Sequence, residues 1–233
     1  MARKDHVILE VNGLTVSYGE VNVLDGMDMS VGEGEFVAVV GESGCGKTTM
    51  LSAIAGFVPH RGMVVRPERV GVVFQNHAVF PWMSVEENIG FGMRDPRGVE
   101  YYLETIALKD KRRSYSFELS GGQVQRVALA RTLAAQPELI LMDEPYGALD
   151  VYTRERMQQW LLDIWERERK TIVLVTHSIE EAAFLADRVL VLKDKKITSE
   201  FSIKLSRPRA RDIRFERGFV KLVKKITESL NGL

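Results

Sequence analysis

The chain has 233 residues, 45% hydrophobic and 27% charged, which suits one globular domain, or a domain with a subdomain. Its 32 basic and 32 acidic residues cancel, leaving no global electrostatic case for nucleic acid or an anionic membrane surface as partner. One cysteine excludes an internal disulfide framework, and no apolar run approaches the roughly 18 residues that span a bilayer.

The N-terminus is basic but leads into Val7-Ile8-Leu9-Glu10, so no signal peptide is expected. Residues 7–18 alternate at Val7, Leu9 and Val11 and read as a strand, with Gly13, Gly19 and Gly26 marking turns. Residues 21–31 read as further, antiparallel strand ending at Gly32-Glu33-Gly34. Residues 36–40 (Phe-Val-Ala-Val-Val) form a short apolar, β-branched run that predicts a buried strand.

Gly41-Glu42-Ser43-Gly44-Cys45-Gly46-Lys47-Thr48-Thr49 follows at once and fits G-x-x-x-x-G-K-[ST], the phosphate-binding loop. Its glycines allow a tight turn that points several N–H groups into one concavity, and the helix it opens adds the positive end of its dipole. Lys47 is expected to reach the β- and γ-phosphates and Thr48 to sit on Mg²⁺. Helical apolar spacing over 50–55 ends at Gly56 and Pro59.

Residues 70–74 predict a second buried strand, stopping at Gln75, whose neutral amide could bind Mg²⁺ or water and release it cheaply. Turns and helical stretches are expected over 76–118, with helices at 85–90 and 99–108. Residues 120–135 read as an amphipathic helix closed by Pro137, with Val124, Val127, Leu129 and Leu133 near helical spacing. Ser120 is an N-cap residue, and Gly121 and Gly122, before Gln123, expose backbone N–H groups at the helix start: a second anion site. One triphosphate needs one such site. Two copies face to face could each lend the second site to the other's nucleotide, as an isologous dimer.

The apolar strand 139–142 ends in Asp143-Glu144-Pro145. In proteins with this loop, an Asp at that strand end holds Mg²⁺, and a second carboxylate beside it suits a base that orients the attacking water. Residues 151–169 predict a long helix with Met157, Trp160, Leu161, Ile164 and Trp165 on a core-facing side. The strand 171–176 ends at His177, whose ring N–H could contact the γ-phosphate and report its presence. A helix over 179–186 and a hairpin formed by 188–192 and 196–197 close the pattern. Strands alternating with helices predict an α/β protein around a mostly parallel sheet. The tail, 205–233, opens with the basic turn Arg207-Pro208-Arg209-Ala210-Arg211. It places Phe215, Phe219, Leu222, Ile226 and Leu230 on one helical face, to dock on this domain or on a partner subunit.

Taken in order, these segments resemble the ATP-binding cassette (ABC) ATPases over nearly the whole chain. Gly41 to Thr49 and Leu139 to Asp143 look like the Walker A and B segments, and Leu119-Ser120-Gly121-Gly122-Gln123 like the ABC signature. Gln75 and His177 fall at the Q-loop and switch histidine, and Ala148-Leu149-Asp150 at the D-loop. Tyr18 falls where the family stacks a ring on adenine. The resemblance implies a P-loop NTPase core with an antiparallel β subdomain and a short helical subdomain, roughly 76–135, within a domain 1–204 followed by a helical tail. It implies ATP and Mg²⁺ as ligands, and a homodimer with two ATPs at its interface.

The run Phe80-Pro81-Trp82-Met83-Ser84-Val85-Glu86-Glu87-Asn88 and the segment Asp143-Glu144-Pro145-Tyr146-Gly147-Ala148-Leu149-Asp150 look like the importer ATPases for nitrate, sulfonate and taurine. That subtype implies a peripheral subunit on the cytoplasmic face of the cell membrane, bound to integral permease subunits and served indirectly by a solute-binding protein. Phe80 and Trp82 would then meet the permease, or else lie in the core. The alternative is a soluble ABC ATPase acting on DNA or ribosomes. Such proteins carry a long coiled coil between Q-loop and signature, or two cassettes in tandem, and this chain has neither, so no nucleic-acid partner is expected. Lys47, Asp143, Glu144 and His177 are all present, which argues against an inactive nucleotide-binding module.

Overall fold

A computed structural model describes residues 6–74, 79–147 and 149–232. Two sheets organise it. Strands β1 (Val7–Tyr18) and β2 (Val21–Gly32) pair antiparallel, and β4 (Arg61–Val65) joins the other edge of β1. The second sheet runs β5 (Val70–Val73), β6 (Leu139–Asp143), β7 (Thr171–Thr176), β3 (Phe36–Val40), β8 (Arg188–Lys193) and β9 (Lys196–Ser202). Its first five strands are parallel and β9 closes antiparallel to β8.

Every residue of β3, β6 and β7 is buried, as near-continuous apolar runs require when both sheet faces are covered. Strand alternation divides them between two cores. Val37, Val39, Leu141, Val173 and Val175 face α1 (Lys47–Ala55) and the antiparallel sheet. Phe36, Ala38, Val40, Ile140, Met142, Ile172 and Leu174 face the other helices: α2 (Val85–Gly90), α3 (Val99–Thr105), α4 (Gly121–Ala134), α5 (Val151–Glu168), α6 (Ile179–Leu185) and α7 (Arg217–Asn231). The predicted apolar side of α5, Met157, Trp160, Leu161, Ile164 and Trp165, is buried in this second core.

The tail docks on its own domain. Phe219 and Ile226 of α7 are buried, and Leu222, Val223 and Leu230 pack against the same core. Each fully buried side chain of this size contributes about 1.5–3 kcal/mol. The expected face is one residue shorter than predicted: Phe215 lies before the helix, in a 3₁₀ turn, and is 84% exposed. Arg209 secures the tail by donating to the carbonyls of Phe184 (2.9 Å) and Ala186 (2.7 Å) at the end of α6. Burial pulls its guanidinium down to about 10.

Helix α3 stops at Thr105, short of the predicted 108, because the chain turns through Ala107 at φ +53°. Trp82 is 69% exposed, and Phe80 packs between it (5.4 Å between centroids) and Phe91 (4.7 Å), under the guanidinium of Arg131. Among the described residues no helix is long and apolar enough to cross a membrane.

Candidate functional site

Strand order builds the site. Strands β6, β7 and β3 are parallel neighbours, with Asp143 in register with Val175 and Val40 with Thr176. The next residues, Glu144, His177 and Gly41, therefore leave the sheet side by side at its carboxyl edge, where ligands bind in open α/β folds.

From Gly41 the chain wraps into the loop. A Cβ on Gly41 would lie 2.5 Å from the Leu192 carbonyl oxygen and 2.6 Å from Cys45 Sγ, so only glycine fits. Gly44 and Gly46 take φ of +81° and +107°, and Gly46 caps α1 without a side-chain oxygen, leaving the first helical N–H groups for an anion. Lys47, 6% exposed, donates to the carbonyls of Gly41 and Glu42, both at 2.8 Å. Ser43, Gly44, Gly46, Lys47, Thr48 and Thr49 share one open cavity of about 730 Å³ with Val23, Glu144 and His177.

Asp143 is buried beside this cavity, and its Oδ1 has no hydrogen-bond partner among the described residues. Burial pushes its carboxyl above the ordinary 3.8, the Thr48 hydroxyl and Lys47 pull it back, and Glu144 adds to the rise. An orphaned buried carboxylate oxygen next to a hydroxyl suits a hard, oxygen-seeking cation. No group of three or more His, Cys, Asp or Glu among the described residues could cage one alone. That fits Mg²⁺, which is held by one or two protein oxygens together with phosphates and water.

Glu144 sits at φ +45°, a left-handed conformation uncommon for a residue with a Cβ. Its N–H donates to the Val175 carbonyl at 2.9 Å, which ties the turn to β7. Its Oε1 lies 3.2 Å from Nδ1 of His177, whose side chain is largely open to the cavity. A carboxylate paired with an imidazole and facing a phosphate loop can orient water for attack on a terminal phosphate.

The remaining predicted residues fall elsewhere. Tyr18 ends β1, exposed, paired with Val21 in the hairpin that brings Val23 to the cavity wall. Gln75 lies outside the described residues, as does Ala148. Ser120 is exposed and caps α4 in a reciprocal box with Gln123 (2.8 and 3.3 Å). A Cβ on Gly121 would meet nothing within 4 Å. None of Ser120, Gly121, Gly122 and Gln123 lines the loop cavity; Gly121 borders a separate, shallow depression with Leu119, Phe117 and Val79. Asp150 caps α5, accepting from the Thr153 N–H at 3.0 Å, which holds its carboxyl low. Unforeseen is a polar cluster behind Glu144 and His177: buried Tyr146, Thr176 and Glu181 with half-buried Arg154. The Ser178-x-x-Glu181 spacing, a helix-start signal, marks its position in the sequence.

A family model described as ABC transporter matches residues 24–147. The aliphatic sulfonates import ATP-binding protein SsuB 2 of Streptomyces avermitilis is 44% identical over 208 residues, 87% of this chain and 83% of that protein. The taurine import ATP-binding protein TauB of Escherichia coli O157:H7 is 41% identical over 79% of each chain. The nitrate import ATP-binding protein NrtD of Synechocystis is 40% identical over 240 residues, 92% of this chain and 90% of that one. Among solved structures, a dimeric ATP-binding cassette in a post-hydrolysis state with ADP and Pi matches with a TM-score of 0.75. It is 31% identical and covers 85% of this chain and 100% of its own.

Proposed function

The chain belongs to the ABC transporter family, and on that premise we propose that it is the ATP-hydrolysing subunit of an importer for a small oxyanion-bearing solute of the sulfonate, taurine or nitrate class. The observation that carries the catalytic part is the single cavity shared by the phosphate loop, Glu144 and His177.

In this reading Gly41 to Thr49 bind the phosphates, Lys47 meets the β- and γ-phosphates, and Tyr18 stacks on adenine. Thr48 and Asp143, with Gln75, would hold Mg²⁺, which would neutralise phosphate charge. Glu144 orients the attacking water, and His177 holds Glu144 and contacts the γ-phosphate. Ser120, Gly121, Gly122 and Gln123, open at the tip of α4 and absent from their own chain's cavity, close on the nucleotide of a second copy, with Asp150 at the same interface. ATP touches both copies only when they close, so its differential affinity drives closure, and its loss on hydrolysis reopens the pair.

The exposed rings of Trp82 and Phe91, with Phe80 between them, supply the apolar contact to a permease. The subunit then works peripherally at the cytoplasmic face of the membrane, and a solute-binding protein delivers the cargo. The test is co-purification of the full chain with its integral membrane partner, together with Mg-ATPase activity. Trp82→Ala is expected to lose the partner while keeping the activity of the free subunit. Capture of no membrane protein by the wild type, under conditions where it hydrolyses ATP, would refute the transport assignment.

A further inference from the structure

The turn that carries His177 is held by a network outside the loop cavity. Three helices open with Ser-x-x-Glu or Ser-x-x-Gln. In α2 and α4 the third residue closes a reciprocal box on the N-cap backbone: Ser84 N–H donates to Glu87 Oε2, and Ser120 N–H to Gln123 Oε1, both at 2.8 Å. In α6 the box is rerouted. Ser178 Oγ still accepts from the Glu181 N–H at 3.2 Å, but the Ser178 N–H donates to Thr176 Oγ1 at 3.0 Å. The Thr176 hydroxyl then donates to Glu181 Oε2 at 2.5 Å. A threonine hydroxyl is thus inserted into the box, and the residue enclosed between Thr176 and Ser178 is His177.

Glu181 is 6% exposed and Thr176 1%, so the bond between them is shielded from bulk water. The Glu181 Oε1 and the Tyr146 hydroxyl are buried without a hydrogen-bond partner among the described residues. Both line a small, partly open space of about 50 Å³ with Glu144, Arg154 and His177. That is room for a water, which could accept from the Tyr146 hydroxyl and donate to Oε1.

We propose that Glu181 is a positioning residue for hydrolysis: through Thr176 and Ser178 it sets the turn that holds His177 against Glu144. The inference rests on the assignment of Glu144 and His177 as the hydrolytic pair. Burial pushes the Glu181 carboxyl up, while the Thr176 bond, the nearby Gln158 side chain and the charges of Arg154 and His177 pull it back. Misplacing an imidazole by about an ångström costs rate, roughly 10–100-fold, without touching the loop that binds ATP.

The experiment is steady-state ATPase kinetics on the full chain for Glu181→Ala, Glu181→Gln, Thr176→Val, His177→Ala and the Glu181→Ala/His177→Ala pair. Glu181→Ala is expected to lower kcat about 10–100-fold and leave the KM for ATP within about threefold. Glu181→Gln, which keeps an acceptor for the Thr176 hydroxyl, is expected to recover most of that loss. The double variant should be no slower than His177→Ala alone, because both act through one imidazole. Should Glu181→Ala not fold, Thr176→Val breaks the same bond in the same shape, and its kcat and KM decide instead. Losses that add to those of His177→Ala, or that glutamine fails to recover, overturn the positioning role. If His177→Ala itself turns over at the wild-type rate, the hydrolytic pair is wrong; if only His177→Ala is impaired, the pair stands and the role of Glu181 falls.

Discussion

Lys47→Met tests the phosphate loop at the atom on which it depends. The ammonium has three donors; two go to the carbonyls of Gly41 and Glu42 at 2.8 Å, and the third has only Cys45 Sγ at 3.9 Å within the loop. No carboxylate among the described residues makes a direct ion pair with this buried cation, Asp143 acting on it only at longer range, so a bound phosphate would be its direct counter-ion. A charge-assisted hydrogen bond contributes about 1.5–3 kcal/mol, which converts to a roughly 10–150-fold loss of ATP affinity in a methionine variant that keeps the aliphatic stem. The assay is titration calorimetry at constant ionic strength, with thermal denaturation as a cross-check. At ATP one hundred times the wild-type Kd, binding stabilises wild type by about 2.7 kcal/mol, and a variant bound 100-fold more weakly by about 0.4 kcal/mol. An affinity within threefold of wild type would refute the assignment of Lys47 to the phosphates.

The other tests address separate parts of the molecule. Maleimide on Cys45, the sole thiol, should abolish ATP binding, and Mg-ATP should protect it; unchanged affinity after complete labelling would move the nucleotide off the loop. Asp143→Asn should end Mg-ATPase activity while raising the melting temperature of the nucleotide-free protein by about 2–4 °C per kcal/mol of relieved burial. The folded Asp143 carboxyl holds its proton above the unfolded 3.8, so wild type loses stability as pH rises from 3.8 through the raised value, and the variant should lack that loss. Melting curves that coincide across that range would contradict it. Ile226→Ala, at a fully buried position on α7, should cost about 2–5 kcal/mol in denaturant unfolding; a cost under about 0.5 kcal/mol would mean that the tail is not docked in solution.

What was legible in the sequence was what is local or wholly buried. The strands Phe36–Val40 and Thr171–Thr176 and the helix Val85–Gly90 coincide with their predicted limits, because each is an apolar run or a capped turn bounded by its own residues. The strand Arg61–Val65 is not legible in the sequence: it carries no alternation, has no buried residue, and exists only through its pairing with a strand some fifty residues earlier. Residues 21–31 read as a strand element ending at Gly32-Glu33-Gly34, with Gly26 marking a turn. They are one continuous strand, because the left-handed Gly26 is absorbed as an irregularity in pairing with β1 rather than ending it. The loop lysine and the acids at the end of β6 follow from motif spacing. The contact between Glu144 and His177 does not, since it depends on β6 and β7 being neighbours. The link between Thr176 and Glu181 is not legible for the same reason: the spacing marks Glu181 only as a helix-start residue, and nothing local shows that a strand-end hydroxyl joins it.

The most direct measurement is the solution mass of Glu144→Gln with saturating Mg-ATP, by light scattering. A nucleotide held between the phosphate loop of one chain and the Ser120 helix tip of another predicts a stable species of twice the 26.3 kDa chain, dissolving when ATP is withdrawn. A mass that stays at one chain under saturation contradicts the shared nucleotide, and with it the coupling of hydrolysis to opening and closing.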